Sequence, residues 1–133
     1  MYSKKATENT PQIIIDFPQL LVEISGNSAA DDPAAFYQPV LDYIYNNFYE
    51  ISNSSYQRSS PQITLHFYMG TIAPADLEMI RKLDELLNGI KEFTTYNYWY
   101  FHPDKKESIE QGERVKALFL NSTRLIADSV HVK

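Results

Sequence analysis

At 133 residues the chain has room for one core, since single domains usually fall at roughly 100 to 150 residues, and 44 % apolar against 22 % charged residues is the balance of a folded protein. Seventeen acidic side chains outnumber twelve basic ones, and the net charge of -5 repels phosphate backbones and anionic headgroups, which argues against nucleic acid and membrane surfaces as partners. Cysteine is absent, so disulfides, thiol nucleophiles and thiolate zinc sites are excluded, no apolar run approaches a membrane span, and the reading is of a cytoplasmic protein.

Residues 1–10 are polar and aperiodic and read as a flexible tail, leaving 11–133 as a single domain. Ile13-Ile14-Ile15 and Leu20-Leu21-Val22-Glu23-Ile24 are β-rich runs on either side of Asp16-Phe17-Pro18-Gln19, which predicts a hairpin. Its second strand puts Leu20, Val22 and Ile24 on one face and is expected to break at Gly26-Asn27-Ser28. Asp31-Asp32-Pro33 is a helix start, an acid cap followed by proline at the first helical position. Phe36, Val40, Ile44 and Phe48 then recur every four residues, with Leu41 and Tyr45 widening the stripe. Pro39 lacks the N–H of a ladder bond, a cost of about 3 kcal/mol, and predicts a kink or restart. Asn53 to Pro61 is a polar loop.

Ile63, Leu65, Phe67 and Met69 alternate with Thr64, His66 and Tyr68 in a third strand that is expected to stop at Gly70. Pro74 opens a second helix with Asp76 and Glu78 near its positive end, the stripe Leu77, Ile80, Leu83, Leu87 and Ile90, and Gly89 at its close. Thr94 to Phe101 is β-branched and aromatic nearly throughout and predicts a fourth strand with one face toward a helix. Asp104 with Glu107 reads as a capping box for a third helix, whose stripe is Ile109, Val115, Leu118 and Phe119 and whose Gly112 permits a close approach. Leu125 to Val130 predicts a fifth strand. The order β-β-α-β-α-β-α-β implies an α/β fold, an opening hairpin followed by a mostly parallel sheet flanked by helices with unequal coverage of its two faces.

Few residues point to chemistry. Four glycines, Gly26, Gly70, Gly89 and Gly112, cannot assemble a phosphate loop or a dinucleotide fingerprint. His66, His102 and His131 are scattered; a shared metal site would require them to converge in space. The acid pairs Asp31-Asp32 and Asp84-Glu85 read as a helix cap and a solvated helix face. The aromatic strand has no Lys or Arg between Thr94 and Pro103, which argues against a base-stacking platform. These residues predict no catalysis, no cofactor and no metal. The informative segment is Tyr68-Met69-Gly70-Thr71-Ile72-Ala73-Pro74, where Thr71 stands at a strand-to-helix turn. Its hydroxyl either carries a phosphate beside free helix amides or satisfies a backbone N–H at the helix entrance, while Met69 and Ile72 offer flanking apolar surface.

This succession of features resembles the SiaC family of bacterial regulatory phosphoproteins, whose domain is similar to the STAS fold. The resemblance rests on Gly26-Asn27-Ser28, Asp32, Phe36-Tyr37-Gln38-Pro39-Val40-Leu41, Leu65-His66-Phe67-Tyr68-Met69-Gly70-Thr71, Asn97-Tyr98-Trp99-Tyr100 and Gly112-Glu113. Thr71 falls where that family carries its regulated threonine, although the family loop usually reads Asn before it and Ser after it, where Gly70 and Ile72 stand here. The resemblance implies a non-enzymatic STAS-like switch: a serine/threonine kinase phosphorylates Thr71, a metal-dependent protein phosphatase reverses it, and the unphosphorylated form binds a diguanylate cyclase or another effector through Tyr68, Met69, Gly70 and Ile72. The alternatives are an anti-sigma-factor antagonist in a partner-switching system and a small-ligand or metal enzyme using the histidines.

Overall fold

The computed structural model describes residues 1–47, 62–90 and 94–132; the expectations for Phe48 and for the loop at 53–61 lie outside them. The elements are β1 (Tyr2–Lys4), β2 (Gln12–Asp16), β3 (Leu21–Ser28), α1 (Pro33–Asn46), β4 (Gln62–Ile72), α2 (Pro74–Asn88), β5 (Thr94–Phe101), α3 (Lys106–Leu118) and β6 (Ser122–Ala127). They build one sheet in the order β1-β2-β3-β4-β5-β6, antiparallel from β1 to β3 and parallel from β3 to β6. This is the expected α/β, STAS-like class with one added strand.

Strands laid down in a single direction, joined by right-handed crossovers, leave every connecting helix on the same face. The three helices of the described residues accordingly share one core: Val40, Ile44, Leu77, Ile80, Leu83 and Val115 cluster with the inward residues Val22, Ile24, Leu65, Phe67 and Trp99. No helix among the described residues covers the opposite face. There Glu23, His66, Tyr98 and Arg124 stand side by side across four strands, with Ser25, Tyr68, Tyr100 and Ile126 as the next row. The rings stack along this surface, Tyr68 on Tyr100 at 4.1 Å and His66 on Tyr98 at 5.0 Å.

Several local expectations are corrected. Tyr2–Lys4 is not a loose tail but pairs with β2, and Tyr2 packs on the Tyr43 ring at 5.2 Å; three residues are too few to show a periodicity. β3 continues through Gly26, whose φ of 114° is open to glycine, as far as Ser28. Helix α1 is capped by the Asp32 carboxylate, which accepts from Ala35 N at 3.1 Å, and runs unbroken through Pro39. Pro39 and Ala35 are both exposed, so water can reach the carbonyl that loses its bond. Tyr45 is 73 % exposed because it lies nine residues, half a turn of the wheel, from Phe36; Tyr37 is the buried aromatic instead.

Helix α3 begins after Lys105 without a side-chain cap, and the Asp104 amide donates to His102 Nδ1 at 3.2 Å, so no capping box forms. Ile109 and Leu118 are exposed, and the buried line is Gly112, Val115 and Phe119. A β-carbon on Gly112 would stand 3.3 Å from Leu125 Cδ2 and 3.4 Å from Trp99 Cδ1, so the glycine does allow a close approach, and only a narrow strip of α3 is covered. The last strand, β6, ends at Ala127 and not at Val130. Asp84 is no solvated acid: it is fully buried and accepts from Asn97, Leu120 and Asn121, tying α2 to β5 and to the start of β6. Glu85 remains exposed, paired with Arg81.

Candidate functional site

Where β4 leaves the sheet it carries one extra residue. Gly26 opposes Met69 and Ser28 opposes Ile72, so β3 advances two residues while β4 advances three, and Gly70 and Thr71 together face Asn27. Such a bulge breaks the ladder and re-aims the side chains beside it. The Thr71 N–H, deprived of a β3 carbonyl, donates to Asn27 Oδ1 at 3.0 Å. On the same peptide unit the Gly70 carbonyl accepts from Gln111 Nε2 of α3, also at 3.0 Å. The Ala73 amide then returns to the Ser28 carbonyl at 2.8 Å, and α2 starts at Pro74.

Two expectations change here. Strand β4 does not stop at Gly70 but continues to Ile72, and the residue capping α2 is Ala73, with no side-chain cap bond. Thr71 therefore does not serve the helix entrance. Its side chain is exposed and its hydroxyl has no hydrogen bond among the described residues. It opens on a pocket of about 310 Å³ that Lys105, Glu107, Gln111 and Val132 also line.

The flanking residues divide between the two faces of the sheet. Met69 is fully buried under the helices, so it belongs to the core and offers no surface. Tyr68 lies on the open face, stacked on Tyr100 and in edge contact with His131 at 5.7 Å. Ile72 lies on the helix-bearing side, in a groove of about 450 Å³ between α2 and α3 with Leu77, Leu118, Arg81 and Arg114. Tyr68, Gly70 and Ile72 thus surround the end of β4 without forming one flat patch.

A buried polar relay starts at Ser28, which faces Ile72 at the end of the bulge. Tyr37 Oη donates to Ser28 Oγ at 2.5 Å, Ser28 Oγ donates to Asp76 Oδ2 at 2.7 Å, and the same oxygen accepts from Ala30 N at 3.1 Å. Ser28 and Asp76 are fully buried, and burial pushes the Tyr37 phenol far above its ordinary range, with the Asp76 charge adding and the Ser28 bond opposing. Asp76 is more than a dipole partner: it fixes the β3–α1 connection onto the first turn of α2, under the bulge.

The histidines remain apart. His66 Nδ1 is 2.8 Å from Tyr100 Oη on the open face, where burial lowers its pKa against the opposing effect of Glu23. His131 pairs with Asp128 at 3.0 Å, and its backbone and ring N–H groups hold that carboxyl below the usual range. His102 accepts the Asp104 amide. Among the described residues no group of three or more His, Asp or Glu side chains could hold a metal ion, and no helix is long and apolar enough to cross a membrane. None of Asn27, Gln111 and Asp76 stands out in the sequence as a site residue: Asn27 marks a strand break and a segment of the family resemblance, Asp76 the first turn of a helix, and Gln111 gives no signal.

The profile of the family described as SiaC family regulatory phosphoprotein matches residues 4–127. None of the curated proteins matches the sequence. Among solved structures, apo-SiaC from Pseudomonas aeruginosa superposes with a TM-score of 0.73 at 14 % identity, covering 96 % of this chain and 100 % of that one. SiaC in its complex with the diguanylate cyclase SiaD, of which it is the activator, superposes with a TM-score of 0.71 at 14 % identity over the same shares. At these identities the likeness establishes the fold.

Proposed function

The chain belongs to the SiaC family of regulatory phosphoproteins, and from that membership we propose that Thr71 is its phosphoacceptor and that the chain works as a binding switch, not as an enzyme. The observation that carries the reading is an exposed hydroxyl, without a hydrogen bond among the described residues, on a bulge whose backbone is held from both sides. A kinase can reach such a group without unfolding anything. A serine/threonine kinase would transfer the terminal phosphoryl of a nucleoside triphosphate: the bond from Thr71 Oγ1 to phosphorus forms, the bond to the diphosphate breaks, and the hydroxyl proton passes to a base of the kinase. A metal-dependent phosphatase would return the hydroxyl by hydrolysis.

The unphosphorylated form binds the effector through the surface around the end of β4, where Tyr68, Gly70 and Ile72 are accessible and Ile72 opens on the groove between α2 and α3. The cyclase complex of a SiaC with the same fold supports a diguanylate cyclase as that effector. Phosphorylation adds about -1.5 to -2 charges, and a partner seated on Ile72 and Leu118 would have to desolvate them. The fold stays intact while the interface is lost.

Calorimetry against a diguanylate cyclase from the same cell tests this. Thr71→Ala removes a hydroxyl and a methyl from a neutral surface and should keep the parent's affinity. Thr71→Glu should weaken it at least tenfold, about 1.4 kcal/mol. Equal affinities for all three proteins would make Thr71 a residue of the bulge only, and binding to an anti-sigma kinase in place of the cyclase would reassign the effector.

A further inference from the structure

The acceptor site is held by two side chains from outside its own strand. Asn27 Oδ1 takes the N–H, and Gln111 Nε2 binds the C=O, of the one peptide unit joining Gly70 to Thr71. The N–H faces β3 at the extra residue of β4, and the C=O faces the other way, beyond the last β4–β5 pair Tyr68–Tyr100, so neither group has a ladder partner. The orientation of the Asn27 carboxamide follows from this, because a backbone N–H requires an oxygen. Its Nδ2 is left outward, with no partner among the described residues. Gly70 is part of the same arrangement: a β-carbon there would overlap Asn27 Oδ1. The glycine makes room for the carboxamide that crosses from β3.

We propose that Asn27 and Gln111 are the positioning residues of the Thr71 site: together they clamp the Gly70–Thr71 peptide so that the hydroxyl is presented outward, and Asn27 Nδ2 donates a hydrogen bond to the phosphoryl group once it is attached. The proposal rests on Thr71 as the acceptor, but its geometry can be tested without any kinase. Asn27 lies in the strand next to the acceptor and Gln111 on a helix 41 positions along the chain from Gly70, so the clamp couples the acceptor to both β3 and α3. The charged groups lining the same pocket are Lys105 and Glu107, which stay constant in the comparison below.

The experiment uses the full chain with phosphothreonine placed at position 71 by amber suppression, together with the unmodified chain, in parent, Asn27→Ala, Asn27→Asp and Gln111→Ala forms. Amide exchange followed by nuclear magnetic resonance reads the clamp. The Thr71 amide should exchange about fivefold faster in Asn27→Ala and in Gln111→Ala, while Asn27→Asp, which keeps the acceptor oxygen, retains the parent's rate. Phosphorus resonance against pH reads the donor. The phosphoryl midpoint, ordinarily about 6, should rise by about half a pH unit in Asn27→Ala and further in Asn27→Asp, where a carboxylate replaces the donor. A scaffold role alone would move the midpoint alike in Asn27→Ala and Gln111→Ala, which both loosen the clamp, whereas the donor role raises it in Asn27→Ala and not in Gln111→Ala. A midpoint unaltered in Asn27→Ala, or a Thr71 amide exchanging at the parent's rate in both alanine variants, overturns the proposal. Phosphate mapped away from Thr71 in cells would overturn the acceptor assignment instead, a separate result.

Discussion

Replacing Asp84 by Asn should destabilise the chain by about 2 kcal/mol, although Asp84 and Glu85 are adjacent acids on one helix. The Asp84 carboxylate is fully buried. Oδ1 accepts from Asn97 Nδ2 and from Asn121 Nδ2, each at 2.8 Å, and Oδ2 accepts from Leu120 N at 2.7 Å. An Asn at this position keeps one oxygen and turns the other into a donor. Its better orientation keeps the oxygen toward the two carboxamides and sets an NH2 against the Leu120 N–H, so one short bond becomes a donor facing a donor. A hydrogen bond to a charged group contributes about 1.5 to 3 kcal/mol, and an unmet buried donor costs about 1 to 3 kcal/mol. Relief of the buried charge offsets part of this and brings the total toward the lower end. Asp84→Ala, which leaves these donors unmet together with the Asn121 N–H, held by a longer bond of 3.4 Å, should cost about 3 to 5 kcal/mol. Glu85→Gln removes only an exposed pair with Arg81 and should stay within about 0.5 kcal/mol of the parent. Urea unfolding at constant slope measures all three. An Asp84→Asn midpoint equal to that of Glu85→Gln would refute the buried-acceptor reasoning.

Three further outcomes are expected. Burial holds the His66 imidazolium unfavourable, so the unfolded chain takes up the proton more readily; the stability this contributes is present above the ordinary histidine value of about 6.5 and is lost as pH falls below it. The urea midpoint should therefore drop more steeply between pH 7 and 5.5 in the parent than in His66→Gln, and parallel curves would count against this. Removing residues 1–5 deletes β1 and the Tyr2–Tyr43 contact and should lower the melting temperature by several degrees, whereas a loose tail would leave it unchanged. Gly112→Leu should cost at least about 2 kcal/mol in urea unfolding, because Trp99 is fully buried against that position and cannot retreat; an unchanged midpoint would mean α3 can shift outward.

The sheet was legible where side-chain periods are strong. Ile63 to Met69 alternates without a break, and the α2 stripe of Leu77, Ile80, Leu83 and Leu87 is regular, so their inward faces follow from the pattern; Thr94 to Phe101 was legible as a strand, but with aromatics on both faces its inward set of Thr95, Asn97 and Trp99 was not. Tyr2–Lys4 was not legible, since a three-residue strand exists only through the partner it pairs with. Ile109 and Leu118 look like core by spacing alone. They are outside it because Gly112 brings α3 so near Trp99 that little of the helix face is covered. Thr71 stood out as a hydroxyl at the end of a strand, but what holds it did not. Asn27 and Gln111 reach the Gly70–Thr71 peptide across 44 and 41 residues of chain, and no local pattern announces a bulge in a parallel pair. Met69 was misassigned to the surface because β4 was expected to end one residue after it; with the strand continuing to Ile72, Met69 keeps the inward direction of Phe67.

The measurement that bears most directly on the switch is intact-mass and fragment-mass analysis of the chain isolated from its own cells, in parent and Thr71→Ala forms. The expected result is a single phosphoryl group on the parent, carried on Thr71, and none on the alanine variant. Phosphate on another residue, with Thr71→Ala labelled to the same extent as the parent, would contradict it.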